Sequence, residues 1–287
     1  MRAATRKAIA AVTAVVSTTA AVVVAGTGSG WAQAPGVRAY GITADGTLMA
    51  TFTTDKPQVL DWVRSVTGLT GDKTLLGIDT RVQDGLMYGL GNAGGIYSIK
   101  TPPTTPDVVF TKVSQLSVPL EGRNFGVDFN PAADRLRVVS DTGQNLRHNL
   151  SDHSTVEDAV LSTPPADGPT RGVTAAAYTN NDLNPDTGTQ LDVISPASDE
   201  LIIQSPANKG LLAPLGKLGV DADGSVGFEI HTDLVNGKAT ALTGFATFAP
   251  KGGNATLYTV NLVNGAVTPV GQFPLAIADI TTALDTD

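Results

Sequence analysis

"GIDTR" (Gly77–Arg81) and "GVDFN" (Gly126–Asn130) share one plan: a glycine, an aliphatic residue, an aspartate, a small or apolar residue and a polar one. "GFEIH" (Gly227–His231) repeats it with a glutamate. "AAAYT" (Ala175–Thr179) and "ADITT" (Ala278–Thr282, with Ile277 before it) follow it more loosely. The aligned third positions are Asp79, Asp128, Ala177, Glu229 and Asp279, with separations of 49, 49, 52 and 50 residues. A period of this size, holding several short strands per unit, is the mark of a β-propeller.

Alternation and turn residues divide each unit into four strands. The second unit reads "TLLGID", "GLMYGL", "GIYSIK" and "DVVFTKV", with "QDG" and "GNAGG" as turns. The third gives "FGVDF", "DRLRVVS", "NLRHNL" and "TVEDAVL"; the fourth "VTAAAYT", "QLDVIS", "ELIIQS" and "LLAPLG". The fifth gives "VGFEI", "ATALTGFATF", "ATLYTVNL" and "AVTPVGQF". The first unit has only three strands, "RAYGIT", "TLMATF" and "VLDWVRSV", and the chain ends on a lone inner-type strand, "AIADITTAL". The expectation is an all-β propeller of about five four-stranded blades. The C-terminal strand should complete the N-terminal blade, because an open ring would leave unpaired edges.

Met1–Ala34 has the layout of a secretory signal: a basic start (Arg2, Arg6, Lys7), an apolar Ala/Val run from Ala8 to Ala25, and the small-x-small triplet Ala32-Gln33-Ala34. Cleavage after Ala34 is expected, with Ala25 as the other position; the plainer alternative is a retained anchor. The propeller then occupies residues 35–287 as one secreted domain with no membrane span. There is no cysteine, which excludes disulfides and thiolate metal sites. Loss of the three basic residues takes the net charge from −8 to −11. Such a chain repels phosphate backbones, so nucleic acid is not an expected partner.

"FGVDFNPAADRLRVVSDTGQNLRHN" (Phe125–Asn149) resembles the signature segment of a bacterial secreted family, domain of unknown function 4394. "AAAYTNNDLNPDTGTQLDVI" (Ala175–Ile194) and "LGVDADGSVGFEI" (Leu218–Ile230) are similar to two further stretches of it. The resemblance covers roughly Tyr40 to Leu284. It implies a propeller-like secreted domain and brings no activity or catalytic residue with it.

Two groups of residues are candidates for chemistry. On the face shared by the loops from each outer strand to the next inner strand and by the loops between strands two and three lie Arg123, Asp141, Gln144, Asn145, Arg171, Asp221 and Asp223, with Glu121 and Asp167 beside them. Such a set suits a small polar ligand, although a solvated loop face explains it as well. The repeated acids Asp79, Asp128, Glu229 and Asp279 sit at equivalent points of four inner strands. Pointing into one channel they would repel, and would need a cation, shared protons or backbone N–H partners. A cation there would be Ca²⁺ or Mg²⁺, which favour oxygen ligands. The alternative is that each acid locks a blade through hydrogen bonds. "DLNPDTG" places Asp182, Asn184 and Asp186 at alternate positions, a spacing that suits Ca²⁺ but that Asx-turns also explain.

Nucleophilic catalysis finds little support. No G-x-S-x-G elbow follows the signal, and His148, His153 and His231 have no zinc-helix spacing. Glu229 and His231 share a strand face. Few aromatics are available for a sugar platform, and Tyr88, Tyr97 and Tyr258 fall within strands. The reading is a secreted, monomeric propeller acting as an extracellular binding or scaffold module. Its partner on the loop face would be a small polar ligand, a cell-wall component or a protein. The alternative is a metal-assisted hydrolase or lyase, using the channel carboxylates with Arg123, Arg171 or His231.

Overall fold

The computed structural model describes residues 36–184, 186–250 and 254–286. The expected signal segment, Met1–Ala34, lies outside them. The first blade contains β1 (Arg38–Thr43), β2 (Leu48–Thr53) and β3 (Trp62–Ser65). The second is β4 (Leu75–Arg81), β5 (Leu86–Gly91), β6 (Gly95–Lys100) and β7 (Val109–Gln115). The third is β8 (Phe125–Asn130), β9 (Arg135–Ser140), β10 (Asn145–His148) and β11 (Thr155–Glu157). The fourth is β12 (Ala175–Tyr178), β13 (Leu191–Ser195), β14 (Glu200–Gln204) and β15 (Leu212–Lys217). The fifth is β16 (Ala222–Val235), β17 (Lys238–Pro250), β18 (Thr256–Val260) and β19 (Val267–Gln272).

The last strand, β20 (Ile277–Thr282), returns to the first blade and pairs antiparallel with β1, Ile42 opposite Asp279 and Ala39 opposite Thr282. All five sheets are four-stranded and antiparallel. The strands β20, β4, β8, β12 and β16 neighbour one another in turn and line the channel. The expected five-bladed ring, closed through its N-terminal blade, is the fold.

A blade is too thin to own a core, so the apolar residues bury themselves between blades. Five clusters result, one at each junction. Ile42, Met49 and Ile78 join blades one and two, and Leu90, Val127 and Leu146 join two and three. Val139, Val193 and Ile202 join three and four, and Ala177, Ile194, Ile230 and Phe248 join four and five. Phe52, Leu257 and Ile280 close the ring, with Phe52 and Phe273 edge to face at 4.9 Å. Tyr88 meets Phe129 across the second junction at 5.3 Å.

The fifth blade departs from the expected strand lengths. β16 and β17 run 14 and 13 residues, where the sequence suggested "VGFEI" and "ATALTGFATF". The pairing continues, with a register shift at Asp233/Leu234, to Asn236-Gly237, whose φ angles of 53° and 71° form the two-residue turn that right-twisted hairpins favour. At the other extreme, β11 stops at Glu157, because the Asp158 carboxylate turns to meet Arg137 and Arg147.

Candidate functional site

The repeated acids reach sideways, each to the backbone of the next inner strand. Asp79 Oδ2 accepts the Phe129 N–H at 2.7 Å, and Asp128 Oδ1 accepts that of Tyr178 at 3.1 Å. Glu229 Oε2 accepts the Thr282 N–H at 3.2 Å, and Asp279 Oδ2 that of Ile78 at 2.7 Å. These bonds stitch blade two to three, three to four, five to one and one to two. Blade four has Ala177 at this point and no such stitch to blade five.

The glycine two residues before three of the acids makes the approach possible. A Cβ on Gly126 would stand 2.6 Å from the Ala175 backbone, and one on Gly227 2.5 Å from Asp279 Cα. On Gly77 it would meet Val127 at 2.6 Å. Thus the G-x-acid repeat combines close approach with capture of an N–H on the neighbouring strand.

Hydrogen bonding does not finish the electrostatics. Asp79, Asp128 and Glu229 offer carboxylate oxygens that all lie within 4.8 Å of one another. All four acids are buried, and no ion pair among the described residues involves them. Burial pushes Asp79 up to about 6, against the opposing pull of the Phe129 and Thr80 N–H groups. Burial, then the Asp79 charge, takes Glu229 to about 8. Burial, followed by the charges of Asp79 and Glu229, raises Asp128 well above the usual carboxylate range. Asp279 is raised chiefly by burial, against the Ile78 N–H. A buried carboxylate cluster of this kind could hold a metal ion.

The loop-face residues are not all gathered at one point. Arg123 is exposed and, with Asp279, Asn124 and Ser225, lines a cavity of about 40 Å³ at the channel mouth. Asp141 holds the turn below it, accepting the Arg123 N–H at 2.9 Å. Gln144 is buried, accepting from Glu121 N and donating to Pro119 O. Asn145 is buried too, its amide donating to Ala159 O and Ala207 O and its oxygen accepting from Arg137. Arg171 and Asp221 are exposed. Asp223 lies on β16 opposite Ala249. Glu229 and His231 both reach Thr282, the first to its N–H and the second to its hydroxyl at 3.2 Å.

The Asp182 loop is tied internally. Asp182 Oδ1 accepts the Asn184 N–H, and Asn184 Oδ1 that of Asp186, as in successive Asx-turns. Asp182 Oδ2 takes the Thr187 hydroxyl and the Ala239 N–H, each at 3.0 Å, pinning the β16–β17 hairpin to this loop.

Three features were not found from sequence. Arg137, 2% exposed, donates to Asn145, Asp158 and Asn208 and joins blades three and four. Ser114 stands between His148 Nε2 and His153 Nδ1, both at 2.8 Å, and burial depresses His148 to about 4. Asp192 is buried beside Gln190. The first two depend on partners far away in sequence. Only Asp192, an acid inside the apolar run "LDVIS", carried a local signal.

Fold and site together define a five-bladed β-propeller with an acid-lined channel. The model of a family described as a domain of unknown function, DUF4394, matches residues 48–281, and the chain belongs to that family. No curated protein matches it. Among solved structures it is similar to Myxococcus xanthus glutaminyl cyclase, at 10% identity and a TM-score of 0.49, over 81% of this chain and 98% of that one. A protein of unknown function from Bacteroides thetaiotaomicron has 13% identity and a TM-score of 0.48, over 91% and 70% of the two chains. The WD40 domain of Toxoplasma gondii coronin has 13% identity and a TM-score of 0.38, over 79% and 55%.

Proposed function

We propose that this domain is an extracellular binding module whose channel holds a hard divalent cation, Ca²⁺ or Mg²⁺, beneath a mouth that receives a small polar ligand. One observation carries the reading. Three acids from three different blades bring their oxygens within 4.8 Å of one another. Carboxylates so close are mutually repulsive unless protonated or neutralised, and oxygen-only donors suit these two ions. The stitches to neighbouring strands fix the acids beforehand, so a cation meets a rigid site. Arg123 and Asp279 at the mouth supply a guanidinium and a carboxyl group for a polar ligand. The signal-like Met1–Ala34 supports an extracellular setting.

Equilibrium dialysis with Ca²⁺ and with Mg²⁺ tests this. The wild-type protein should bind one ion per chain. Asp128→Asn keeps an oxygen for the Tyr178 N–H but removes the charge, and should weaken binding by about tenfold or more, roughly 1.4 kcal/mol. Equal binding by the variant, or none by the wild type, defeats the proposal.

A further inference from the structure

Blade four lacks an acid on its inner strand but has one a strand further out. Asp192 on β13 lies directly opposite Ala177. Side chains alternate along a strand, and opposite residues share a face. Leu191 and Val193 pack toward blade three, while Ala177 and Ile194 pack toward blade five. Asp192 therefore points toward blade five, into an otherwise apolar layer.

Its bonding differs from that of the channel acids. Asp192 is 0% exposed. Its Oδ1 accepts one hydrogen bond, from Gln190 Nε2 at 2.7 Å, and its Oδ2 has no partner. It takes part in no ion pair among the described residues. Burial raises it to about 6, so the group is largely ionised at neutral pH. A buried carboxylate oxygen without a donor is costly, and the packing of the blade does not require one.

Asp192 forms part of the wall of a cleft of about 390 Å³, on the face opposite the channel mouth. Thr179, Asn180 and Gln190 give this cleft polar walls, while Leu242 and Leu262 from blade five give it apolar ones. Two of its donors are engaged: the Asn180 amide donates to Gly188 O, and the Gln190 N–H to the Thr179 hydroxyl. The charged group of the cleft is one negative acceptor beside hydrocarbon.

We propose that this cleft binds a primary alkylammonium group, with the ammonium on Asp192 Oδ2 and its methylenes between Leu242 and Leu262. A point donor fits better than a guanidinium, whose fork needs two acceptors where Gln190 leaves one. Hydrocarbon stems with charged heads settle on such mixed walls. The acidic net charge favours the approach of a cation. Asp192 is fully covered, so a cleft side chain must turn aside. The Gln190 amide, whose one side-chain hydrogen bond is to Asp192, is the group that moves. Free aliphatic amines and lysine side chains share this chemistry.

Calorimetric titration of the purified protein near neutral pH tests the site, with n-butylammonium chloride and a doubly blocked lysine peptide as probes and n-butanol as control. Saturable binding of butylammonium but not butanol is expected. Asp192→Asn should lower its affinity about tenfold or more and raise the unfolding midpoint at neutral pH, because the buried charge is gone, leaving Ca²⁺ binding unchanged. Leu242→Ala, at a partly exposed position, should weaken it severalfold, and Gln190→Ala should strengthen it. Tighter binding of the peptide would identify a lysine side chain as the occupant; binding of butylammonium alone, a free amine. Absence of saturable butylammonium binding, or equal affinity in Asp192→Asn and Leu242→Ala, would overturn the assignment.

Discussion

Gly126 and Asp128 meet two demands of one strand crossing: the glycine lets β12 come close, and the acid occupies the N–H that this closeness would otherwise leave facing the channel. Gly126→Ala should therefore cost about 1–3 kcal/mol, since the added methyl meets backbone, which cannot rotate away. Thermal unfolding would show a midpoint several degrees lower. Gly188→Ala, with nothing within 4 Å of the new Cβ, should change it little. This recurrence made the fold legible, because the same glycine-and-acid pair returns in three blades and leaves a mark at a near-fixed spacing. The partners of the acids were not legible. An N–H fifty residues away, as Phe129 is for Asp79, has no sequence signal. Gln144 and Asn145 looked like ligand-binding loop residues for a similar reason, because polarity shows in a sequence and saturation of the amide by Pro119, Ala159 and Ala207 does not.

At the scale of elements, the long β16–β17 hairpin stands apart. It extends past the blade, its pairing continuing across a register shift at Asp233/Leu234 to the turn at Asn236-Gly237, and Asp182 fastens it from the preceding blade. The same carboxylate belongs to a loop whose spacing suits Ca²⁺. With Oδ1 on Asn184 and Oδ2 on Thr187 and Ala239, its geometry is that of a fastening. Asp182→Ala should lower stability by about 1–2 kcal/mol and speed hydrogen exchange at the Ala239 amide. The number of Ca²⁺ ions bound should not change. A lost ion would make the loop a metal site after all.

Across the whole molecule, five apolar junctions hold the ring from outside while four buried acids line it from within. The acids both fasten and strain it. Their pKa values in the folded protein lie above those of the unfolded chain, so the folded state binds more protons than the unfolded one across the intervening range. Their favourable contribution is complete below about pH 4 and is lost as pH rises through the folded values, about 6 for Asp79 and about 8 for Glu229. The metal-free ring should therefore lose stability through this window, where a cation has most to offer.

The most direct test is the unfolding midpoint of the metal-free protein, with and without millimolar Ca²⁺ or Mg²⁺, followed from about pH 5 to about pH 8. An ion at a hundredfold excess over its dissociation constant stabilises the folded state by about 2.7 kcal/mol, or roughly 5 °C or more for a chain of this size. The predicted result is a rise of that order near pH 8, shrinking toward pH 5 as protons compete for the same oxygens, and about halved or less in Asp128→Asn. An unchanged midpoint across this range, or an equal rise in Asp128→Asn, would contradict a cation in the channel.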